Sequence, residues 1–317
     1  MTPRWQEPQT GALAELRNMG RWLHNQMVRF RYLSPRQVLA DYRRAARLAQ
    51  GRVAMAQPVS PGPERLVVSL TTIPARLADL RPTLLSLMEQ TRPPDRLILA
   101  LPNHSCRDGR PYTLPEALAA DLSGGLPRPV SVLRCRDWGP ATKLLPALRA
   151  EPGALVVAVD DDVIYPRDHL ETLLAAHRER PRAALGWRGW RIQPGVPPRR
   201  FAHVWASAVT MPQPADILLG WGGYLIPPGA LDAAVFDYAG WPEAMRWVDD
   251  VWISGHLARR GVARLVVPGR SYPVARAISW RAGLSDGINR SDEHNRVAIA
   301  AMGAFWGGTA RGEAPDD

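Results

Sequence analysis

Short apolar runs alternate with segments of helical periodicity between residues 65 and 178. The runs at 66–70, 96–101, 130–133 and 154–159 are bounded by turn-forming or polar residues and predict buried strands. Between them, apolar residues spaced by three and four positions predict helices. Strands that alternate with helices build βαβ units and hence a parallel sheet. We therefore predict an α/β fold with a Rossmann-like, mostly parallel sheet flanked by helices.

The second half of the chain has a different pattern. Seven of the 12 Trp residues fall between Trp187 and Trp252, in a region of short apolar stretches interrupted by Gly and Pro. This pattern predicts several short antiparallel strands around a core of bulky aromatic residues. Indole rings also stack on apolar faces and donate one N–H, so some of them could line a sugar or lipid acceptor pocket. Both interpretations stay open for different members of the set.

The N-terminal residues predict two helices outside the main domain. Residues 12–33 place apolar side chains at helical spacing. Ser34 and Pro35 form a helix start, and Gly51 ends the second helix. These helices could pack on the domain or on a partner, or residues 12–50 could lie peripherally on an anionic membrane.

The domain organisation follows from these patterns. A helical extension at 1–57 and a Pro/Gly-rich linker at 58–64 precede the main domain at 65–305, and 306–317 form a tail. Within the main domain, the pattern changes at about residue 178 and divides it into a first half at 65–178 and a second half at 179–305.

The net charge of +10 is concentrated near the N-terminus. Residues 1–57 contain ten Arg and three acidic residues, a surplus of seven, so the rest of the chain contributes only +3. Nucleic-acid-binding domains usually interleave basic and aromatic residues on a folded face, so we predict no nucleic-acid partner. Of the 40 basic residues, Lys143 is the one lysine, and it lies just before a group of acids.

Cys106 and Cys135 are too few for a disulfide framework. The N-terminal residues also lack the apolar core of a secretory signal. No run of about 18 uncharged apolar residues predicts a membrane span. We therefore expect free thiols and a cytoplasmic protein that could lie on the inner face of the cytoplasmic membrane.

The predicted strand at 154–159 runs directly into Asp160, Asp161 and Asp162. Ligands bind at the carboxyl ends of parallel strands, and three adjacent carboxylates there need a cation. In an extended chain Asp160 and Asp162 would point to one side and Asp161 to the other, which suits Mg²⁺ or Mn²⁺. Alternatively, the acids belong to a helix N-terminus, because Pro166 lies at a helix start.

Two later stretches carry further candidate residues. The Gly-rich sequence at 219–224 predicts a loop that lets backbone approach another group closely. Asp249 and Asp250 begin a predicted helix. They are candidates for acid–base chemistry, although acids in the first turn also simply stabilise a helix.

Five motifs follow one another along the chain: the polar loop at 71–76, the Thr–Lys pair at 142–143, the acids at 160–162, the Gly–Trp–Gly–Gly loop at 220–223 and the acidic pair at 249–250. In this order, they resemble the motifs of the GT-A-fold, nucleotide-sugar-dependent glycosyltransferases. They are similar to those of family-2-like bacterial enzymes that assemble surface polysaccharides. The resemblance covers residues 65–305.

The resemblance implies roles for particular residues. The nucleotide-sugar would contact Thr71, Thr72, Arg76, Lys143, Asp160 and Asp161. The metal, Mn²⁺ or Mg²⁺, would be held by Asp162 with Asp160 and His294. Asp250, or its neighbour Asp249, would be the general base. The acceptor would contact Trp221, Gly222 and Gly223.

Together these features predict a metal-dependent enzyme that moves a sugar from a nucleotide-diphosphate sugar to a glycan or lipid-linked acceptor. An inverting mechanism is favoured, because a separate candidate base is present. An Asp-x-Asp-x-Thr phosphatase would need a Thr that the acidic motif lacks, and a nucleotidyltransferase would need Gly within residues 71–76. A non-catalytic glycan-binding protein on the same fold is the alternative of a different class. It would hold glycan without metal and release no nucleotide.

Overall fold

The computed structural model describes residues 19, 20, 23, 27, 29–55, 63–280 and 292–308. Its α-helices are α1 Pro35–Ala49, α2 Arg81–Met88, α3 Glu116–Ala120, α4 Leu145–Ala150, α5 His169–Glu179, α6 Asp249–Arg259 and α7 Glu293–Ala301. Its strands are β1 Leu66–Leu70, β2 Arg96–Pro102, β3 Ser131–Cys135, β4 Leu155–Val159, β5 Val163–Ile164, β6 Ala184–Gly186, β7 Arg188–Arg191, β8 Ala202–Trp205, β9 Gln213–Pro214, β10 Ile217–Leu218, β11 Tyr224–Ile226, β12 Arg264–Val266 and β13 Val274–Ala275.

An eight-stranded sheet forms the centre of the molecule, in the order β3-β2-β1-β4-β11-β6-β12-β9. Strands β3, β2, β1 and β4 are parallel to one another, and β12 is parallel to β6. Strand β11 runs antiparallel between β4 and β6, and β9 is an antiparallel edge. The predicted α/β class with a mostly parallel sheet is confirmed.

Strands β1 and β4 lie at the centre of the core. Every residue of both strands is buried, and they pair in register from Leu66 with Leu155 to Leu70 with Val159. Apart from Ser69, both strands are apolar throughout, as a strand covered on both faces requires. The four strands predicted between residues 65 and 178 are all present, and no end differs from its predicted position by more than two residues.

The Trp-rich half adds a second, smaller sheet. Strands β10, β7 and β8 form an antiparallel sheet beside the central one, as the sequence pattern predicts. Two tryptophans of this half, Trp187 and Trp252, are almost fully buried inside the molecule. Other indole rings of this half line a surface cleft described below.

Helix α1 packs against the main domain. It begins with a capping box between Ser34 and Gln37, and Pro35 stands in its first turn. Gly51 follows its end with a φ of 75°, a left-handed conformation that favours Gly. Leu48 is fully buried in the main core. For residues 35–49 the structure therefore favours packing on the domain over a free membrane helix.

Two further predictions concern cysteines and membrane spans. Cys106 and Cys135 are both free, as expected. Within the described ranges, no helix is both long enough and apolar enough to cross a bilayer.

Candidate active site

The acidic residues lie where β4 ends, beside the end of its parallel neighbour β1. Asp160 is the first residue after β4, and its side chain is 28% exposed. Its carboxylate accepts a hydrogen bond from Lys143 Nζ at 2.7 Å. Its backbone N–H donates to the Tyr165 hydroxyl at 2.8 Å. Asp160 is therefore held in place from two sides while it faces the crevice.

Asp161 and Asp162 share one cation. Arg76 Nη1 lies 2.9 Å from Asp161 Oδ1 and 2.9 Å from Asp162 Oδ2. The prediction that Asp161 points away from its two neighbours is wrong in this respect. Strand β4 ends at Val159, and Asp161 and Asp162 occupy a turn before β5, so the alternation of an extended chain does not apply.

Asp162 keeps one oxygen available. Its Oδ1 is buried and accepts no hydrogen bond from the residues that the structure describes. Burial raises the pKa of Asp162 to about 6, and the neighbouring Asp161 and Asp160 add to that effect against the lowering by Arg76. A buried carboxylate oxygen without a partner is costly, so this oxygen is suited to a cation.

Lys143 joins the two acidic motifs. It ends a short 3₁₀ turn, Ala141–Lys143, and its ammonium contacts Asp160 at 2.7 Å and Asp249 Oδ2 at 2.9 Å. Burial by itself would lower the pKa of Lys143. Asp160, Asp249 and Asp250 together raise it well above its ordinary value, so the ammonium stays charged. The structure thus brings Asp160 and Asp249 to the same ammonium group.

Asp250 lies in the first turn of α6 and accepts a hydrogen bond from the Gly220 backbone N–H at 2.9 Å. It forms no direct ion pair with any described residue. Burial raises the pKa of Asp250 to about 8, Asp249 adds to this effect, and Lys143 opposes it. A carboxyl group with a pKa near neutrality can both accept and release a proton under ordinary conditions.

The predicted Gly-rich loop is a 3₁₀ turn, Gly220–Gly222, packed tightly against the charged residues. A Cβ added at Gly220 would stand 2.1 Å from Lys143 Nζ, so a side chain there would displace the ammonium. Gly223 has a φ of 71°, and an added Cβ would meet the buried His169 ring at 2.6 Å. Close approach of backbone to neighbouring groups is the reason for Gly at these positions.

Residues of the polar loop after β1 contact the acids. Thr72 Oγ1 donates a hydrogen bond to Asp161 Oδ2, and Thr71 Oγ1 donates to the Ala100 carbonyl oxygen at 2.8 Å. Arg76 is 8% exposed because it is turned towards the acids. These three residues lie at the predicted edge, and their roles towards a nucleotide stay a prediction.

His294 lies in α7, with Nδ1 buried. Among the described residues, no three His, Cys, Asp or Glu side chains group as a metal site. The structure therefore does not assemble His294 with Asp160 and Asp162 into one three-ligand cluster.

Several residues of the site were not found from the sequence. Thr83 Oγ1 donates to the Asp161 carbonyl oxygen at 2.8 Å, and Ser279 Oγ donates to that of Asp162 at 2.9 Å. Tyr165 anchors Asp160, and its position three residues after the acids is a signal that sequence reasoning could have used. Thr83 and Ser279 have no such signal, because only the fold brings them to the turn.

The sequence model of the family described as Glycosyl transferase family 2 matches residues 73–231. This segment is half of the chain and contains Arg76, Lys143, the three acids and the Gly-rich turn. The chain belongs to glycosyl transferase family 2. The family 2 match ends before Asp249 and Asp250, which the fold nevertheless brings next to Lys143. The central sheet and its flanking helices match the predicted GT-A, Rossmann-like fold.

Comparison with solved structures and curated proteins adds two findings. One similar structure is the mannosyltransferase PcManGT from Pyrobaculum calidifontis in complex with GDP-Man and Mn²⁺. The two chains are 17% identical with a TM-score of 0.40, and the match covers 74% of this family 2 chain and 63% of the mannosyltransferase. No curated protein matches the chain.

Proposed function

We propose that this family 2 protein is a metal-dependent glycosyltransferase that moves a sugar from a nucleotide-diphosphate sugar to a hydroxyl of a glycan or lipid-linked acceptor. The observation that carries the proposal is the cluster of carboxylates at the end of β4 and the start of α6. Two cations, Lys143 and Arg76, make all the direct ion pairs of this cluster in the described structure. Asp162 also has a buried oxygen, Oδ1, that accepts no hydrogen bond from the described residues.

The donor set fits a hard divalent cation. Mg²⁺ and Mn²⁺ prefer oxygen ligands, and Mg²⁺ in particular is often held by one or two carboxylates together with waters and substrate phosphates. Asp162 would supply the direct protein ligand, with Asp160 beside it. When bound, Mn²⁺ or Mg²⁺ neutralises charge on the diphosphate leaving group. The further contact from His294 stays a prediction.

The chain's own residues would position the donor. In this proposal Thr71, Thr72, Arg76 and Lys143 border the nucleotide-sugar together with Asp160 and Asp161. Lys143 and Arg76 keep the acids in fixed orientations and reduce the repulsion that a diphosphate would otherwise meet. Residues 65–178 form the nucleotide-binding half in this assignment, and residues 179–305 the acceptor half.

Asp250 would act as the general base, with Asp249 fixed by its ion pair to Lys143. The acceptor hydroxyl gives its proton to Asp250 while its oxygen forms a bond to the anomeric carbon. The bond between that carbon and the diphosphate oxygen breaks, and the diphosphate leaves with the electron pair. A base on the acceptor side, separate from the diphosphate, suits inverting transfer. Trp221, Gly222 and Gly223 would contact the acceptor.

The biological setting is part of the proposal. The resemblance to polysaccharide-assembling enzymes supports a role in cell-surface glycan synthesis. Exposed apolar side chains at Met19, Leu23, Met27 and Phe30 support peripheral contact with the inner face of the cytoplasmic membrane. The alternative is a glycan-binding protein without catalysis.

Calorimetric titration with UDP and GDP, first with Mn²⁺ and then with EDTA, tests the proposal. We expect at least one nucleotide to bind with Mn²⁺ and to lose most of its affinity with EDTA. Asp162→Asn should lose metal-dependent binding while its circular dichroism spectrum is unchanged. Asp237→Asn is the matched control, because Asp237 is exposed, lies in a loop and accepts a hydrogen bond from the Ala239 backbone N–H rather than from a residue of the acidic cluster.

Two outcomes would contradict the proposal. Equal nucleotide affinity with Mn²⁺ and EDTA would exclude the metal's role. Folded protein that binds neither nucleotide but retains a glycan would favour the glycan-binding alternative.

A further inference from the structure

A narrow aromatic cleft opens beside the Gly-rich turn. Its walls include Trp187, Arg188, Ser207, Trp205, Trp221 and Tyr272. The rings of Trp205, Trp221 and Tyr272 pack against one another, with centroids between 5.5 and 6.3 Å apart. The cleft therefore has rigid apolar walls, of the kind on which the apolar faces of sugars stack.

Arg188 brings a cation into this cleft. Its guanidinium carbon lies 4.0 Å from the Trp205 ring centroid and 5.4 Å from that of Trp221. Nη2 lies 3.0 Å from His203 Nδ1. In the described structure no carboxylate lies within ion-pair distance of Arg188. Burial lowers the pKa of Arg188 to about 10, which still leaves it charged at neutral pH.

Four polar atoms of the cleft walls are buried without a hydrogen-bond partner among the described residues. They are Trp187 Nε1, Arg188 Nε, Ser207 Oγ and Tyr272 Oη. Buried polar groups nearly always have hydrogen-bond partners in folded proteins. Several buried polar atoms without such partners around one cleft therefore indicate a ligand that supplies them. All four can donate a hydrogen bond, so the matching ligand is rich in acceptor oxygens.

The cleft also adjoins the turn that contacts Asp250 in the candidate active site. Gly222 lines the cleft, and Gly220 in the same turn donates its backbone N–H to Asp250. A Cβ at Gly222 would stand 2.9 Å from Arg188 Cβ, so the turn and Arg188 are in close contact. A sugar in the cleft would therefore lie next to the proposed base.

We propose that the cleft binds an acidic sugar of the acceptor, with Arg188 paired to its carboxylate or phosphate oxygens. The indole rings hold the apolar face of the sugar, and Ser207 and Tyr272 bind its hydroxyls. A guanidinium forms two parallel hydrogen bonds to such an anionic group, which gives both affinity and orientation. This inference rests on the proposed function and names the class of acceptor.

Ligand-observed NMR with three sugars tests the inference. D-glucuronate carries a carboxylate, D-glucose 6-phosphate carries a phosphate and D-glucose is neutral. We expect at least one of the two anionic sugars to bind about tenfold more tightly than glucose, because a charge-assisted pair is formed. Comparison of the two anionic sugars identifies which group the cleft takes.

Two sets of variants assign the effect. Arg188→Gln should remove the preference for the anionic sugar, whereas Arg191→Gln should keep it. Arg191 is a matched control because it lies on the same strand with an exposed side chain. Tyr272→Phe should weaken all three sugars alike, and it keeps the packed ring should Arg188→Gln fail to fold.

The inference is overturned by equal affinity for charged and neutral sugars, by no binding of any of them, or by a preference that survives in folded Arg188→Gln. Nucleotide titration of the same samples separates this inference from the proposed function. Metal-dependent nucleotide binding without acidic-sugar preference would remove only the acceptor class. Acidic-sugar preference without nucleotide binding would leave the cleft assignment and remove the transferase.

Discussion

At the scale of single residues, three neighbours affect the protonation state of Asp250. Asp249 repels its negative charge, Lys143 attracts it, and the Gly220 N–H stabilises it through a hydrogen bond. Burial, with the repulsion from Asp249, outweighs the effects of Lys143 and Gly220 and raises the pKa of Asp250 to about 8. A general base must be deprotonated before it can accept a proton, so in the proposed role Asp250 would be inactive as a carboxylic acid.

The expected result is that kcat/KM for sugar transfer rises as the pH increases through about 8. Below that value Asp250 carries a proton, and above it the carboxylate is available. Asp250→Asn should bind nucleotide normally, lower transfer by about 10²–10⁴-fold and lose this pH dependence. Release of the nucleoside diphosphate from the donor identified by titration gives the rate. If the variant retains activity within a few-fold, Asp250 is only a charge at a helix N-terminus.

At the scale of elements, one buried carboxylate of the main domain binds two Arg side chains of α1. Glu89 follows α2 and is fully buried. It accepts hydrogen bonds from Arg44 and Arg47 of α1 and, at 3.0 Å, from the Ala54 backbone N–H. Two of the ten Arg residues of the N-terminal segment are thus occupied by an internal ion pair.

Glu89→Gln should release α1. The substitution leaves two guanidinium groups without their carboxylate, and breaking a buried ion pair costs about 3–5 kcal/mol. The loss should be below that range because the Arg47 side chain is 29% exposed. Hydrogen exchange should show faster exchange of amides 35–49, with little change in strands β1 and β4.

Glu179→Gln is the control for this experiment. Glu179 pairs with Arg180, but its side chain is 70% exposed, and exposed pairs contribute little. Unchanged exchange of residues 35–49 in folded Glu89→Gln would mean that apolar contacts such as those of Leu48 hold α1 without the ion pair.

At the scale of the whole molecule, charge and exposed apolar side chains coincide near the N-terminus. Residues 1–57 carry seven of the ten net positive charges. Met19, Leu23, Met27 and Phe30 are each about half exposed or more, with spacings of a helical face. Apolar side chains flanked by Arg are typical of helices that lie on anionic membranes. This surface would bring the active site to a lipid-linked acceptor.

The protein should therefore sediment with phosphatidylglycerol vesicles and less with phosphatidylcholine vesicles, and added salt should weaken the binding. Met27→Ser should reduce vesicle binding about tenfold, because a large apolar side chain no longer enters the membrane. Met211→Ser is the matched control, since Met211 is similarly exposed, at 62% against 65%. Equal loss in both variants, or equal binding to both lipids, would argue against this membrane surface.

Much of the fold could be predicted because its signals are local. The run at 154–159 is apolar throughout, as a strand covered on both faces requires, and it became β4 within one residue. The Ser34–Pro35 start of α1 follows from capping chemistry in a single turn. The direction of the Asp161 side chain was missed, because the alternation expected for a strand ends where the turn begins.

By itself, the sequence determined the α/β class, the central strands and the acids at the end of β4, because hydrophobic period and capping act between near neighbours. Tertiary structure alone decided the partners of those acids. Arg76 and Asp161 are 85 residues apart, yet they form an ion pair because β1 and β4 are adjacent in the sheet. The Arg188 cleft is a product of the fold in the same way, since strand pairing and loop packing bring its distant walls together.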